Sequence, residues 1–284
     1  MTIGFKADAK SPAGNALDSF LAPFSCAWRN WDLLAGLVRR DIQARFRDTV
    51  FGIFWAVAAP LVKLAVYTVI FGALIQPRWQ NQVSNPHIVA FSYFSGLVLV
   101  EFLIECLNSS ANLMRENTAY IKKVVFPVEI LPWVTLGYAT FRVLVGMMLV
   151  LVAYIGMIGS PPIDVLMIPL LFVLLALSVL GLMWILSALA TYVRDIGHVI
   201  AAFSPLLMFI SPVFFPLSSV PEPVATLMLI NPLTFPLEQM RAALFGAGFH
   251  AWSGLAIYAF VAVMIAALGY RFFMKVRPGF ADVL

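Results

Sequence analysis

The chain has 284 residues, of which 62% are hydrophobic and only 11% charged, whereas a soluble domain carries about 25% charged residues; a water-soluble globule is excluded. The formal net charge of +4, from 18 Lys and Arg against 14 Asp and Glu, is too small an excess to imply nucleic acid as a partner. Cys26 and Cys106 lie on opposite sides of the first apolar run with no CxxC or Cys/His spacing, so neither a disulfide nor a metal site is expected.

Residues 1–27 lack the apolar core of a signal peptide and read as a flexible cytoplasmic extension. Residues 28–49 follow as an amphipathic helix. Trp31, Leu34, Val38, Ile42 and Phe46 fall on one stripe, while Arg29, Asp32, Arg40, Gln43 and Arg47 occupy the other side. Such a helix lies flat in the headgroup layer, its basic face toward lipid phosphates or a soluble partner, or serves only as an anchor that orients the first span. Residues 50–284 are then a transmembrane domain.

Apolar runs occur at about 51–75, 88–114, 128–158, 165–190, 198–215 and 251–274, each near the roughly 20 residues that cross a bilayer as a helix. The expected fold is an all-α integral membrane protein with six transmembrane helices. The fifth run is the shortest and holds Pro205 and Pro212, which predicts a broken or bent helix. Between runs two and three, 115–132 is basic and punctuated by Pro127 and Pro132, the composition of a helix that docks on another protein or of a plain topogenic loop. Residues 216–248 are rich in Leu, Met, Phe and Pro though they lie between spans. Two short helices, about 220–230 and 233–245, broken at Asn231-Pro232, are expected to dip back into the outer leaflet as a lid or as a packing cap.

All of the Lys and Arg except Lys63, Arg78, Arg142 and Arg241 sit on one set of alternate segments. By the positive-inside rule both termini are cytoplasmic. Four ionisable residues fall inside spans. At about 1.5 Å per residue their depths from the cytoplasmic ends are roughly 18 Å for Lys63, 21 Å for Arg142, 20 Å for Glu101 and 14 Å for Glu105. They share one layer, so Glu101 and Glu105 are expected to pair with Arg142 and Lys63 and to bind spans one to three together. The alternative places Lys63 in a wet pore, where it attracts an anionic headgroup.

No GxxxxGK[ST], HExxH or GxSxG occurs, and His87, His198 and His250 are scattered. The chain therefore reads as no enzyme in its own right, with no metal or cofactor of its own, and any energy must come from another molecule.

Three segments carry a resemblance. The first is Arg40-Asp41-Ile42-x-x-Arg45-Phe46-Arg47-x-Thr49-x-x-Gly52-x-x-Trp55 followed by Pro60. The second is Ile121-Lys122-Lys123-Val124-Val125-Phe126-Pro127-x-Glu129-Ile130-Leu131-Pro132, with Val128 where relatives often have Arg. The third runs through Arg194-Asp195-Ile196, Ser211-Pro212-Val213-Phe214-Phe215-Pro216 and Asn231-Pro232-Leu233-Thr234. In order and spacing these resemble the membrane subunits of ABC-2-type polysaccharide exporters, in particular those for O-antigen and teichoic acid.

That resemblance implies a homodimer in the bacterial inner membrane. Two cytoplasmic ATPase subunits would bind ATP and Mg2+, and a lipid-linked glycan would pass between the two copies. It places Arg39, Arg40, Asp41, Arg45, Arg115, Glu116, Tyr120, Lys122 and Lys123 against the ATPase. Flat aromatic faces suit a sliding sugar chain; Trp55, Tyr67, Phe71, Phe203, Phe209, Phe214 and Phe215 are the rings available in spans one and five. The implied function is export of an O-antigen-type glycan. The rivals are capsule or teichoic acid export, and, from other classes, a membrane glycosyl- or acyltransferase or an assembly scaffold.

Overall fold

Backbone N–H and C=O groups left unpaired in hydrocarbon cost several kcal/mol each, so a chain this apolar satisfies them within helices. The computed structural model describes residues 24–47, 49–70, 86–123, 126–249 and 251–284, and every regular element among them is helical. In chain order these are α1 (Trp31–Phe46), α2 (Trp55–Val69), α3 (Pro86–Glu116), α4 (Thr118–Lys123), α5 (Leu131–Met157), α6 (Ile168–Tyr192), α7 (Ile196–Ile210), α8 (Glu222–Met228), α9 (Thr234–Phe245), α10 (Trp252–Val276) and α11 (Phe280–Val283).

Five helical stretches among the described residues are long and apolar enough to cross a membrane: Gly52–Val69, His87–Glu116, Val128–Met157, Ile163–Tyr192 and Trp252–Val283. The remaining predicted span, 198–215, holds α7, a helix of 15 residues, about 22 Å long where the hydrocarbon layer is about 30 Å. Pro205 sits inside it and the helix stops at Ile210. Ser211 is already extended, with ψ 139°, because the ring of the following Pro212 disfavours the α-region.

α3 is the central post. It packs on α2, α5, α6, α7 and α9, and Phe91, Phe94, Phe102 and Leu103 along it are almost wholly buried. The most extensive pairing joins α6 to α10. In lipid, burial of apolar surface does not drive helices together; close approach and dispersion do. Here the two backbones touch: a Cβ on Gly181 would stand 2.5 Å from Ile265 O, and one on Gly269 would overlap Gly181 O. Trp184 fills the neighbouring space, its ring edge-on to Tyr270 at 5.1 Å and to Trp133 at 6.2 Å.

α1 packs against α5, burying Leu34 and Leu37, while Trp31 is turned outward. Leu37 was outside the stripe read from the sequence. Of the predicted extension 1–27, only 24–27 lie within the described residues, and there Cys26 and Ala27 are buried.

Candidate functional site

The helices bring the four intramembrane charges into one network. Lys63 Nζ donates to Glu101 Oε1 at 2.6 Å. Arg142 donates to both carboxylates, from Nη2 to Glu101 Oε2 at 3.3 Å and from Nη1 to Glu105 Oε2 at 2.6 Å. A fifth member comes from α1: Arg45 Nη1 is 3.5 Å from Glu105 Oε1, and its guanidinium lies 4.0 Å from the centre of the Tyr138 ring, a cation–π contact. The network borders a cavity of about 250 Å3 that Phe46, Trp55, Ala59 and Pro60 also line.

Arg142 is the only member that touches both carboxylates. Arg142→Met is expected to cost about 2 kcal/mol, less than the roughly 2.5–3.5 kcal/mol of a charge at mid-helix, because Lys63 and Arg45 remain as partners. Thermal unfolding in lipid nanodiscs checks this. Arg142→Met/Glu105→Leu should recover part of the loss, since it removes the carboxylate left with only the 3.5 Å contact to Arg45.

At the end of α3 named by Arg115, the expected docking residues divide. Arg40 Nη1 donates to Tyr120 OH at 2.7 Å, joining α1 to α4. Arg40, Asp41, Arg45, Glu116 and Tyr120 line one small cavity of about 210 Å3, while Arg39 and Lys122 are exposed. Arg115 turns away from this surface and donates from Nη2 to Ala190 O at 2.9 Å, tying α3 to the end of α6. The side chain of Lys123 lies outside the described residues.

Sequence reasoning missed a hub beside this surface. Glu129 is buried, with Arg277 Nη1 2.9 Å from its Oε2, the Cys26 thiol donating to its Oε1 at 3.6 Å and Trp184 Nε1 donating to its backbone oxygen at 3.2 Å. It fastens the N-terminal segment, the start of α5, α6 and the C-terminal turn to one another. Burial, and then the Glu129 carboxylate, push the Cys26 thiol up to about 12. Glu129 stood in a quoted motif, but nothing in the spacing pointed to partners at both ends of the chain.

Between α7 and α10, the predicted pair of short helices is α8 and α9, separated at Asn231-Pro232. Asn231 Oδ1 accepts from Leu233 N at 3.0 Å, and its Nδ2 donates to Ser211 Oγ at 2.9 Å. Tyr258 OH donates to Pro232 O at 2.8 Å. α9 ends on Gly246 in the left-handed region, φ 68°, which a residue without Cβ adopts at no steric cost. Arg241 is buried under this turn and bonded to Glu238, Pro212 O and Val213 O. The i, i+3 spacing of Glu238 and Arg241 was the signal available for it.

Of the seven rings proposed for a glycan path, the six among the described residues do not share one surface. Trp55 lines the charged cavity. Phe203 and Phe209 are exposed on α7, 60% and 68%. Tyr67 packs on Phe94, centroids 6.4 Å apart, and Phe214 on Tyr93 at 5.9 Å. Phe215 is half-buried, and Phe71 lies outside the described residues.

Residues 33–245 match a family model described as ABC-2 type transporter. The chain is similar to the O-antigen export system permease protein RfbA of Myxococcus xanthus, 27% identical over 254 residues that cover 88% of this chain and 94% of that protein. It is 24% identical to the protein of the same name from Klebsiella pneumoniae, with 89% and 95% covered. The capsule polysaccharide export inner-membrane protein CtrC of Neisseria meningitidis is 23% identical over 220 residues, 75% of this chain and 79% of the relative.

Proposed function

Because the chain belongs to the ABC-2 type transporter family, we propose that it is the permease subunit of an exporter that moves a lipid-linked polysaccharide of the O-antigen type across the bacterial inner membrane. The observation that carries this is similarity along almost the whole of the O-antigen export permeases, 94% and 95% of their lengths. A capsular or teichoic acid cargo is the second reading, favoured by the similarity to the capsule export protein.

In this reading the chain has six spans, α7 with the turn after it being the fifth, and both termini are cytoplasmic. Two copies enclose the path. A separate ATPase binds ATP and Mg2+ and docks on α1, α4 and the end of α3, where Arg39, Arg40, Asp41, Glu116, Tyr120 and Lys122 present a polar surface, with Arg45, Arg115 and Lys123 beside them. Its closure pushes α1, whose Arg45 reaches the charge network through Glu105. The half-exposed and exposed rings Trp55, Phe203 and Phe209 are the ones free to stack on sugars, and α8 and α9 shape the exit.

The test is biochemical. The protein is expected to copurify with a small ATPase and to support glycan-stimulated ATP hydrolysis only in its company; hydrolysis or sugar transfer by the chain alone overturns the reading. Reversing charge with Lys122→Glu and Lys123→Glu is expected to weaken ATPase copurification at least about tenfold, equivalent to about 1.4 kcal/mol. Unchanged copurification and export removes the docking assignment.

A further inference from the structure

We infer that the cavity between α2, α3 and α5 is a binding site for a lipid-borne phosphate, which on the reading above is the headgroup of the cargo lipid itself. Three features converge on that ligand: an excess of cations, donors left over, and an open side that hydrocarbon cannot fill.

Lys63 and Arg142 face Glu101 and Glu105 around the cavity, and Arg45, which lines the neighbouring cavity, reaches Glu105 from behind, so by formal charge the five-residue cluster carries one cation more than its carboxylates match. An ammonium has three donors and a guanidinium five. Lys63 spends one on Glu101, and Arg142 spends two on the carboxylates. The rest are available to an acceptor with several oxygens, which a phosphate is.

The side chains of Lys63, Arg142 and Arg45 are 44%, 41% and 49% exposed. A solvated charge on a water-soluble surface needs no explanation, but Lys63 and Arg142 lie 8 and 11 residues into α2 and α5, about 12–17 Å along their helices. Half-exposed charge at that depth requires water or a polar ligand on its open side. The room is made by α2, on which Ala56, Ala59 and Pro60 line the cavity between Trp55 and Lys63. Trp55 therefore sets a half-exposed ring beside the cations, where the first sugar after a phosphate would lie. A purely structural ion-pair cluster explains the pairings but neither the cation excess nor the open, small-residue wall.

One of the three cations belongs to α1, the helix proposed to receive the ATPase. Withdrawal of Arg45, held at 3.5 Å from Glu105, leaves that carboxylate with Arg142 alone, removes the cluster's extra positive charge and lowers the site's affinity for an anion. Release of the headgroup would thus follow from movement of α1 without a rearrangement of α2, α3 or α5.

The test uses the full chain with its ATPase partner in phosphatidylcholine nanodiscs. A polyprenyl diphosphate, the uncharged prenol of the same length, and phosphatidylglycerol as competitor are scored by native mass spectrometry. The diphosphate should bind at least about tenfold tighter than the prenol. Lys63→Gln should erase about tenfold of that, while Lys63→Arg keeps it within about twofold. Equal binding of prenol and diphosphate, or unchanged binding by Lys63→Gln, overturns the site, and equal displacement by phosphatidylglycerol overturns its assignment to the cargo lipid. Glycan export is followed in the same preparations. If wild type exports and Lys63→Gln binds and exports as well as wild type, the site is wrong and the permease reading stands. If wild type neither holds an ATPase nor exports while the diphosphate selectivity persists, the permease reading fails and the site stands.

Discussion

Arg241→Leu is expected to lower stability by about 3–5 kcal/mol, the cost of removing one partner from a buried ion pair. Arg241 is only 6% exposed. Its Nη1 lies 2.7 Å from Glu238 Oε1, and its Nη2 serves both Pro212 O and Val213 O, the latter at 3.1 Å. Those two carbonyls stand where the chain has just left α7, and Pro212 donates nothing of its own to the backbone. Without the guanidinium they face an apolar interior unpaired. Glu238 would keep only the Leu217 amide, which donates to it at 3.2 Å.

Two variants separate charge from shape. Glu238→Gln still accepts from Leu217, so its cost should be nearer 1–2 kcal/mol, roughly that of a charge-assisted hydrogen bond. Arg241→Lys brings one ammonium where a planar fork bridged two elements, and its loss should fall between the other two. Thermal unfolding in nanodiscs ranks the three. If Arg241→Leu melts with wild type, the buried guanidinium does not hold the segment after α7 to α9.

The second large effect is at the crossing of α6 and α10. Gly181→Ala puts a methyl 2.5 Å from the Ile265 carbonyl oxygen, and any side chain on Gly269 meets the Gly181 backbone. Neither obstacle is a flexible side chain that can swing aside. Gly181→Ala should cost about 1–3 kcal/mol as overpacking, and Gly269→Leu more, because the helices must separate along their length and give up the dispersion contacts that hold them in lipid. Gly36→Ala is the control: nothing lies within 4 Å of its Cβ position in α1, so helix propensity alone predicts a gain of about 0.5–1 kcal/mol. Unfolding temperature and protease resistance read all three. A Gly269→Leu protein as stable as wild type would mean that the contact between α6 and α10 is dispensable.

Much of the candidate site was legible beforehand because depth in a helix is a matter of counting. A rise of about 1.5 Å per residue puts Lys63, Glu101, Glu105 and Arg142 in one layer whatever the lateral arrangement of helices, and the cost of leaving them unpaired made their meeting an expectation. The turn at Asn231-Pro232 was legible for a similar local reason: proline lacks the N–H that a continuing helix needs. Which aromatic rings are open and which are packed was not. Rings spaced along one helix point in different directions around it: α2 leaves Trp55 half-exposed and packs Tyr67 on Phe94, whereas α7 turns both Phe203 and Phe209 outward and Phe214, in the turn after it, packs on Tyr93. Arg115 shows the same limit, since its neighbours Glu116 and Tyr120 line a cavity with Arg40 while its own guanidinium reaches Ala190.

Composition, hydropathy and the placement of Pro were enough to determine that this chain lives in a bilayer, roughly which segments are apolar helices, and which segment is too short or broken to be a simple span, although not where α2 and α7 end. These properties are set residue by residue, by transfer from water and by backbone geometry, and need no partner from elsewhere in the chain. Tertiary structure alone decided who meets whom. Arg45 joins the membrane charges from a helix outside them, Glu129 gathers Cys26 and Arg277 from opposite ends of the chain, and Arg241 stitches the end of α7 to α9. Each of these is a long-range electrostatic choice among several available partners, and it is made by how the helices pack, which periodicity along any one of them does not encode.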